Sequence, residues 1–195
     1  MDIQSEIKKI KELGSGYYFT KALQDLSDNI SSGDDSSFQI LEKMTDDCKL
    51  PNLWKENCRY CSAIVSALAH LRTSKSLQFL INFIQNLPED MPYGAVDLLG
   101  SLLPVYENQI IGNLKEMAAQ NSNASIKAVG MHALTNMALD DKLAENDMNF
   151  LLNLLEDFKG DRYFSSDFIE IAIFHIQRKV KNYENHEDLL DSILK

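Results

Sequence analysis

Apolar and polar positions along this chain form a phrase that recurs five times. "ALQDL" (22–26), "ALAHL" (67–71), "LLGSL" (98–102), "ALTNM" (133–137) and "AIFHI" (172–176) each run small or apolar, apolar, any residue, a residue that is usually polar, apolar. The phrases start 45, 31, 35 and 39 residues apart, as expected for a unit of two helices of about twelve residues joined by short turns. A partner helix lies between the phrases: "IL..M" (40–44), "LI..I..L" (80–87), "II..L..M" (110–117) and "LL..L..F" (151–158) each set apolar residues along one helical stripe. "IQSEIKKIKEL", with Ile3, Ile7, Ile10 and Leu13, is a weaker fifth copy. β-Branched residues nowhere alternate with polar ones for more than a few positions, so no strand is predicted. The pattern therefore predicts an all-α chain of about ten or eleven helices in antiparallel pairs. Leu68, Leu99, Leu134 and Ile173 take the equivalent inward position.

The breaks between helices carry their own chemistry. "SSGDDSS" (31–37) offers Ser and Asp as N-caps, "KLPNL" interrupts before Leu53, Pro92 is placed as a first helical residue, and 160–166 closes a late turn. "WKENCRYCSAIVSALAHL" reads as helical throughout.

The phrases "SAIVSALAHL", "GAVDLLGSLL" and "KAVGMHALTNMAL", each on the second helix of a pair behind a more aliphatic first helix, resemble HEAT and armadillo-type repeats. The resemblance spans 36–182, with 1–32 as an N-terminal capping repeat and 186–194 as a C-terminal capping helix, all within one domain, 1–195. It implies a right-handed α-α superhelix, a solenoid of about five helix pairs whose second helices line the concave face. The Asp and Arg usual in the turn and inner helix of HEAT units are missing or inconsistent here.

On each second helix, positions four and eight before the polar residue of the phrase share its face. Three columns result. The first is Tyr17, Ser62, Tyr93, Ala128 and Asp167; the second Lys21, Ser66, Asp97, His132 and Ile171; the third Asp25, His70, Ser101, Asn136 and His175. Hydroxyl, amide, imidazole, carboxylate and aromatic groups together suit a binding surface, and equally a solvated helix face. Ser66, His70, Tyr93, Asp97, Ser101, His132, Asn136 and Asp167 are the candidate partner-binding residues. His70 continues the Ser62–Ser66 stripe away from the inward Ala67, Leu68 and Leu71, as either a solvated histidine or a partner contact.

Charge narrows the partner. The formal net charge is −10 with a pI near 4.8, which argues against nucleic acid, because binding phosphates requires clustered Lys and Arg. A basic or polar protein partner fits better. Residues 1–50 carry 6 basic and 10 acidic side chains, 51–100 carry 4 and 4, 101–150 carry 3 and 6, and the remainder 6 and 9, so the ends are more acidic than the middle. No apolar run approaches the roughly 20 residues of a membrane helix, and the charged N-terminus is unlike a signal peptide. A cytoplasmic protein without membrane contact is expected, and Cys48, Cys58 and Cys61, odd in number, fit a reducing compartment.

Motifs of chemistry are sparse. Cys58 and Cys61 form a C-x-x-C, yet a zinc site needs a second ligand pair and a thioredoxin-type site needs a preceding strand; two small residues filling a helical face is the plainer reading. His70, Ser101 and Asn136 superficially suggest a hydrolytic set, but stacked helices lie about 8–10 Å apart and a nucleophile needs its base within about 3 Å. Phe79, Phe83, Phe150 and Phe158 stand at core spacing. Asp34–Asp35, Asp46–Asp47 and Asp140–Asp141 stand at helix ends, and Arg178, Lys179 and Lys181 complement a helix C-terminus. No phosphate loop or nucleophile elbow is present. The expectation is a non-enzymatic protein-binding module without metal or cofactor, most concretely a bacterial immunity or inhibitor protein that neutralises a basic toxin such as a nuclease. An adaptor or assembly scaffold is the alternative, and an enzyme of HEAT-like fold a third.

Overall fold

The computed structural model describes residues 2–180. The proposed cap at 186–194 and Lys181 lie outside the described residues. Among the described residues the chain is all-α, with eleven α-helices and no strand. They are α1 (Ile3–Glu12), α2 (Tyr17–Ser31), α3 (Asp35–Asp47), α4 (Pro51–Glu56), α5 (Cys58–His70), α6 (Ser74–Gln85), α7 (Tyr93–Leu102), α8 (Ile111–Gln120), α9 (Ala124–Leu139), α10 (Glu145–Leu155) and α11 (Ser166–Val180). A 3-10 segment, Leu103–Gln109, extends α7.

All five phrases fall on helices α2, α5, α7, α9 and α11, and these pack in series, each on the next. The intervening helices lie against this row: α1 on α2 and α3, α3 on α2 and α5, α6 on α5, α8 on α9, and α10 on α9 and α11. Packing between chain neighbours of this kind is compatible with a helical repeat. The helix ends repeat as well. After α2, Gly33 takes a left-handed φ of 96°, with Gly33 N–H bonded to the Ile30 carbonyl and Asp34 N–H to that of Asn29. After α9, Asp141 (φ 61°) and Lys142 make the same two bonds, to Ala138 and Met137. This is a Schellman turn at two equivalent sites. Arg72 (φ 51°) ends α5 in the same left-handed conformation.

Sequence and structure differ at three places. The stretch from Trp54 to Leu71 is not one helix, because Asn57 (φ −145°) ends α4 and its side chain caps α5 by accepting from Tyr60 N–H at 3.2 Å. The short α4 is an insertion between α3 and α5, which explains why the first phrase offset is the longest. Its Trp54 is buried and donates from Nε1 to the Cys48 carbonyl at 2.6 Å. Pro92 precedes α7 as its N-cap instead of opening it. At the inward position Leu68, Leu99 and Leu134 are fully buried, whereas Ile173 is only partly so; on α11 the core is filled by Ile169, Ala172 and Ile176. There the phrase keeps its composition but has rotated against the core.

Helix α9 is the axis of the packing. Residues from Ser125 to Ala138 are buried almost without interruption, because α7 and α8 both press on it. Small residues make this possible: at Gly130 an added Cβ would lie 2.9 Å from Ala118 N, Leu114 O and Met117 Cβ. Two helices approach at backbone distance there, and only glycine leaves the room. Of the aromatics read as core, Phe83 and Phe158 are buried, while Phe79 and Phe150 are partly buried against the core. Phe79 meets Phe38 edge-on, and Lys115 lies over Phe150 at 4.7 Å.

Candidate functional site

The predicted columns run along the second-helix row, and the structure divides them into an open part and a closed part. Two grooves along the open part hold candidate residues, and a third of about 560 Å³ lies beside Ile171 on α11. The first, a cavity of about 390 Å³ between α2 and α5, is lined by Ser66 and His70 together with Gln24, Ser27 and Asp28. His70 is exposed on the last turn of α5, and its Nδ1–H donates to the Ser66 carbonyl at 2.7 Å. That bond leaves Nε2 as the outward acceptor of the neutral ring.

The second groove, about 480 Å³, lies where α5, α7 and α9 end. Ser101 and Asn136 both line it, and Asn136 Nδ2 stands 3.5 Å from Ser101 Oγ, a long contact that brings two candidates together. Arg72, Glu107, Asp140 and Lys142 complete its rim. None of these four was legible as a site residue, since each follows a helix end instead of sitting on a helix face. The backbone carries the local signal: Arg72 and Glu107 both hold φ near +50° without being glycine, strain of a kind that collects at functional sites. Beside this rim, Asp141 pairs with Lys179 and, at 3.3 Å, with His175 Nε2, which holds its carboxyl below the usual range. Lys179 thus serves Asp141 across two helices.

The closed part centres on His132, and here the expectation fails. His132 was placed on the open columns but is 2% exposed. Its ring is stacked on Phe164 with centroids 4.4 Å apart and tilted over Phe168 at 5.5 Å. Nε2–H donates to the Tyr163 carbonyl at 2.9 Å, and Nδ1 stands 3.7 Å from Asp97 Oδ1. Burial lowers its pKa, opposed by the Tyr163 bond and the Asp97 charge, so the ring is held neutral. His132 is therefore a packed histidine and not a surface contact. Its cover comes from the 159–165 loop, which a second network locks down. Tyr163 OH donates to the Met91 carbonyl at 2.9 Å and meets Ser125 Oγ at 2.9 Å, Ser125 Oγ donates to the Glu89 carbonyl at 2.7 Å, and Arg162 reaches that same carbonyl.

The remaining candidates surround this closed box. Tyr93, 53% exposed, stands edge-on to His132 at 6.0 Å; Asp97 is half-buried, and Asp167 is exposed on the first turn of α11. Of the eight, Tyr93, Asp97 and Ser101 run along one face of α7, with Asn136 against Ser101; Ser66 with His70 lies on α5, Asp167 is exposed on α11, and His132 has left the face. Among the described residues no cluster of His, Cys, Asp and Glu could hold a metal ion, and no helix is long and apolar enough to cross a membrane. No family model matches the chain, and neither a curated protein nor a solved structure matches it.

Proposed function

We propose that the chain is a protein-binding module, and that its partner docks on the row of second helices. One observation carries this reading. Among the described residues six large hydrophobic side chains are exposed, and of these Tyr17 (75%), Tyr93 (53%) and Ile171 (60%) occupy the first or second column of α2, α7 and α11. Large exposed apolar side chains of this kind are the usual holders of a protein interface, and they cost the fold burial that it leaves unmade. Asp28 and Asp140 on the two grooves, with Asp97 and Asp167 on the helix faces beside them, give these anchors a rim suited to a basic partner. A HEAT-like right-handed superhelix is the arrangement that we infer for the row, with this surface on its concave side.

Within the class, an immunity or inhibitor protein that neutralises a basic toxin is the most concrete reading. The net charge of −10 supports it, because an acidic inhibitor is steered to a basic target before close contact. An adaptor would use the same anchors with less charge dependence. For a hydrolase, Ser101 would need a base in reach, and His70 instead donates to its own helix. The test is kinetic, on a partner captured from the native host. Replacing both Asp97 and Asp167 with Lys should slow association and reduce its salt dependence, and Tyr93→Ala should speed dissociation. If the captured partner is acidic, or binds the double-Lys variant as fast as wild type, the electrostatic reading is wrong.

A further inference from the structure

Because α5 begins at Cys58, the C-x-x-C motif does not lie in mid-helix, as the uninterrupted reading had it, but in the first turn of a 13-residue helix. Cys58 is the exposed first residue; Cys61, one turn on, is fully buried. A third thiol completes the group. Cys48, the C-cap of α3, is also fully buried, and its Sγ–H donates to the Met44 carbonyl at 3.8 Å. An exposed thiol at a helix start, a buried one behind it and a third buried near that form an ordered series from solvent to core.

We propose that Cys58 and Cys61 form a redox-active dithiol that exchanges with a low-molecular-weight disulfide such as oxidised glutathione, Cys58 making the attack and Cys61 resolving it. In the first step the Cys58 thiolate bonds to one sulfur of the small disulfide, whose S–S bond breaks and whose other half leaves as a thiolate. In the second, Cys61 loses its proton to solvent or to that thiolate and bonds to Cys58 Sγ, releasing the remaining small thiol. The chain is oxidised by two electrons and the small disulfide is reduced by two.

Exposure sets this order, since Cys58 is open to solvent and Cys61 is buried. Helical positions three apart have Cα atoms about 5 Å from each other, inside the window of about 4.4–6.8 Å that a disulfide spans. Their Cβ atoms, about 5–6 Å apart in a regular helix, must close by an ångström or more. The first turn can give, since its leading N–H groups have no partner within the helix and the first main-chain bond, from Cys61 N–H to the Asn57 carbonyl, is already long at 3.3 Å. The contact between the two buried thiols pushes Cys61 down and Cys48 far up, which suits Cys61 to the resolving step. A cavity of about 340 Å³, lined by Lys11, Gly14, Asp47, Leu50, Leu53, Asn57 and Tyr60, opens beside the first turn of α5, against the chain neighbours of both cysteines though lined by neither. The Tyr60 hydroxyl is buried there without a hydrogen-bond partner in the described structure.

The test uses the reduced full chain, incubated with oxidised glutathione, alkylated and analysed by intact mass and peptide mapping. Alkylatable thiols should fall from three to one, with Cys58 joined to Cys61 and no glutathione retained. Cys61→Ala should stop at the mixed disulfide on Cys58, and Cys58→Ser should keep both remaining thiols. The wild-type chain alone can overturn the proposal: no reaction, a glutathione that persists on Cys58 beside an alkylatable Cys61, or a disulfide joining Cys48 to Cys61 would each do so. Cys58→Ser losing thiols as fast as wild type would equally exclude Cys58 as the point of entry.

Discussion

Two glycines on the packed pair α8 and α9 should respond in opposite directions to the same added methyl group. Gly112, in the first turn of α8, is exposed and has no atom within 4 Å of an added Cβ. Gly112→Ala therefore reduces only the freedom of the unfolded chain and improves helix propensity, a gain of about 0.5–1 kcal/mol. Gly130→Ala receives the same propensity gain, but its Cβ meets three atoms at 2.9 Å, two of them backbone atoms of α8. A flexible side chain could turn aside, but a helix backbone cannot. The two helices must separate by several tenths of an ångström along their interface, and a gap of about 0.5–1 Å forfeits roughly a quarter to a half of each dispersion contact. Overpacking of this kind costs about 1–3 kcal/mol, so the net effect of Gly130→Ala is a loss reaching about 2 kcal/mol after the propensity gain of about 1 kcal/mol.

Urea unfolding followed by circular dichroism measures both variants on one scale, and an unchanged slope would show that the midpoint shift is a stability change. The expected result is a midpoint above wild type for Gly112→Ala and below it for Gly130→Ala. Equal shifts in the same direction would refute the close approach of α8 to α9, and with it the central position given to α9.

Other outcomes follow from the same packing. Leu134→Ala should lower stability by about 2–5 kcal/mol, whereas Asn136→Ala, half-buried in a groove lining, should stay within about 0.5 kcal/mol; urea midpoints that coincide would mean that the faces of α9 are misassigned. Tyr163→Phe strips the hydroxyl that donates to the Met91 carbonyl and should cost about 1–3 kcal/mol by leaving that buried carbonyl without its side-chain donor, with faster amide exchange in 159–165 as the local sign. His132 is neutral in the fold, with its pKa lowered by burial, while in the unfolded chain it takes a proton below about pH 6.5. Stability should therefore fall as pH drops from about 6.5 towards the lowered native value, and His132→Phe should flatten that limb of a plot of unfolding midpoint against pH.

Much of the fold was legible because helices write their period and their ends into local sequence. Leu68, Leu99 and Leu134 share an inward register that a 3.6-residue period reveals directly, and Asp34, read as part of a capping run, accepts from Ser36 N–H at 2.9 Å. Hydrogen bonds from Ser36 and Ser37 pull its carboxyl down to about 2. The break at Asn57 was less legible, since no Pro or Gly marks it; an asparagine able to cap the next turn was its only signal. The groove rim formed by Arg72, Glu107, Asp140 and Lys142 could not be read from helix faces at all, because those residues belong to the chain that leaves the helices.

His132 exposes a deeper limit of the periodic reading. Its position in the repeat equals that of Ser66 and Asp97, both still partly open to solvent, so a face assigned by register alone makes it polar and exposed. What closes over it lies about thirty residues further on: Tyr163 supplies a carbonyl, and Phe164 and Phe168 supply rings. Local sequence carried a trace of this, for α9 surrounds the histidine with Ala128, Gly130 and Ala133 and has apolar residues on every side, which marks a helix buried all round. A helix with neighbours on all sides has no solvated column, and any polar residue on it must find its partner inside the protein. The open candidates are accordingly those on helices with a free side, Ser66 and His70 on α5, Tyr93, Asp97 and Ser101 on α7 and Asp167 on α11, together with Asn136 at the end of α9, where the flanking helices stop and the groove begins.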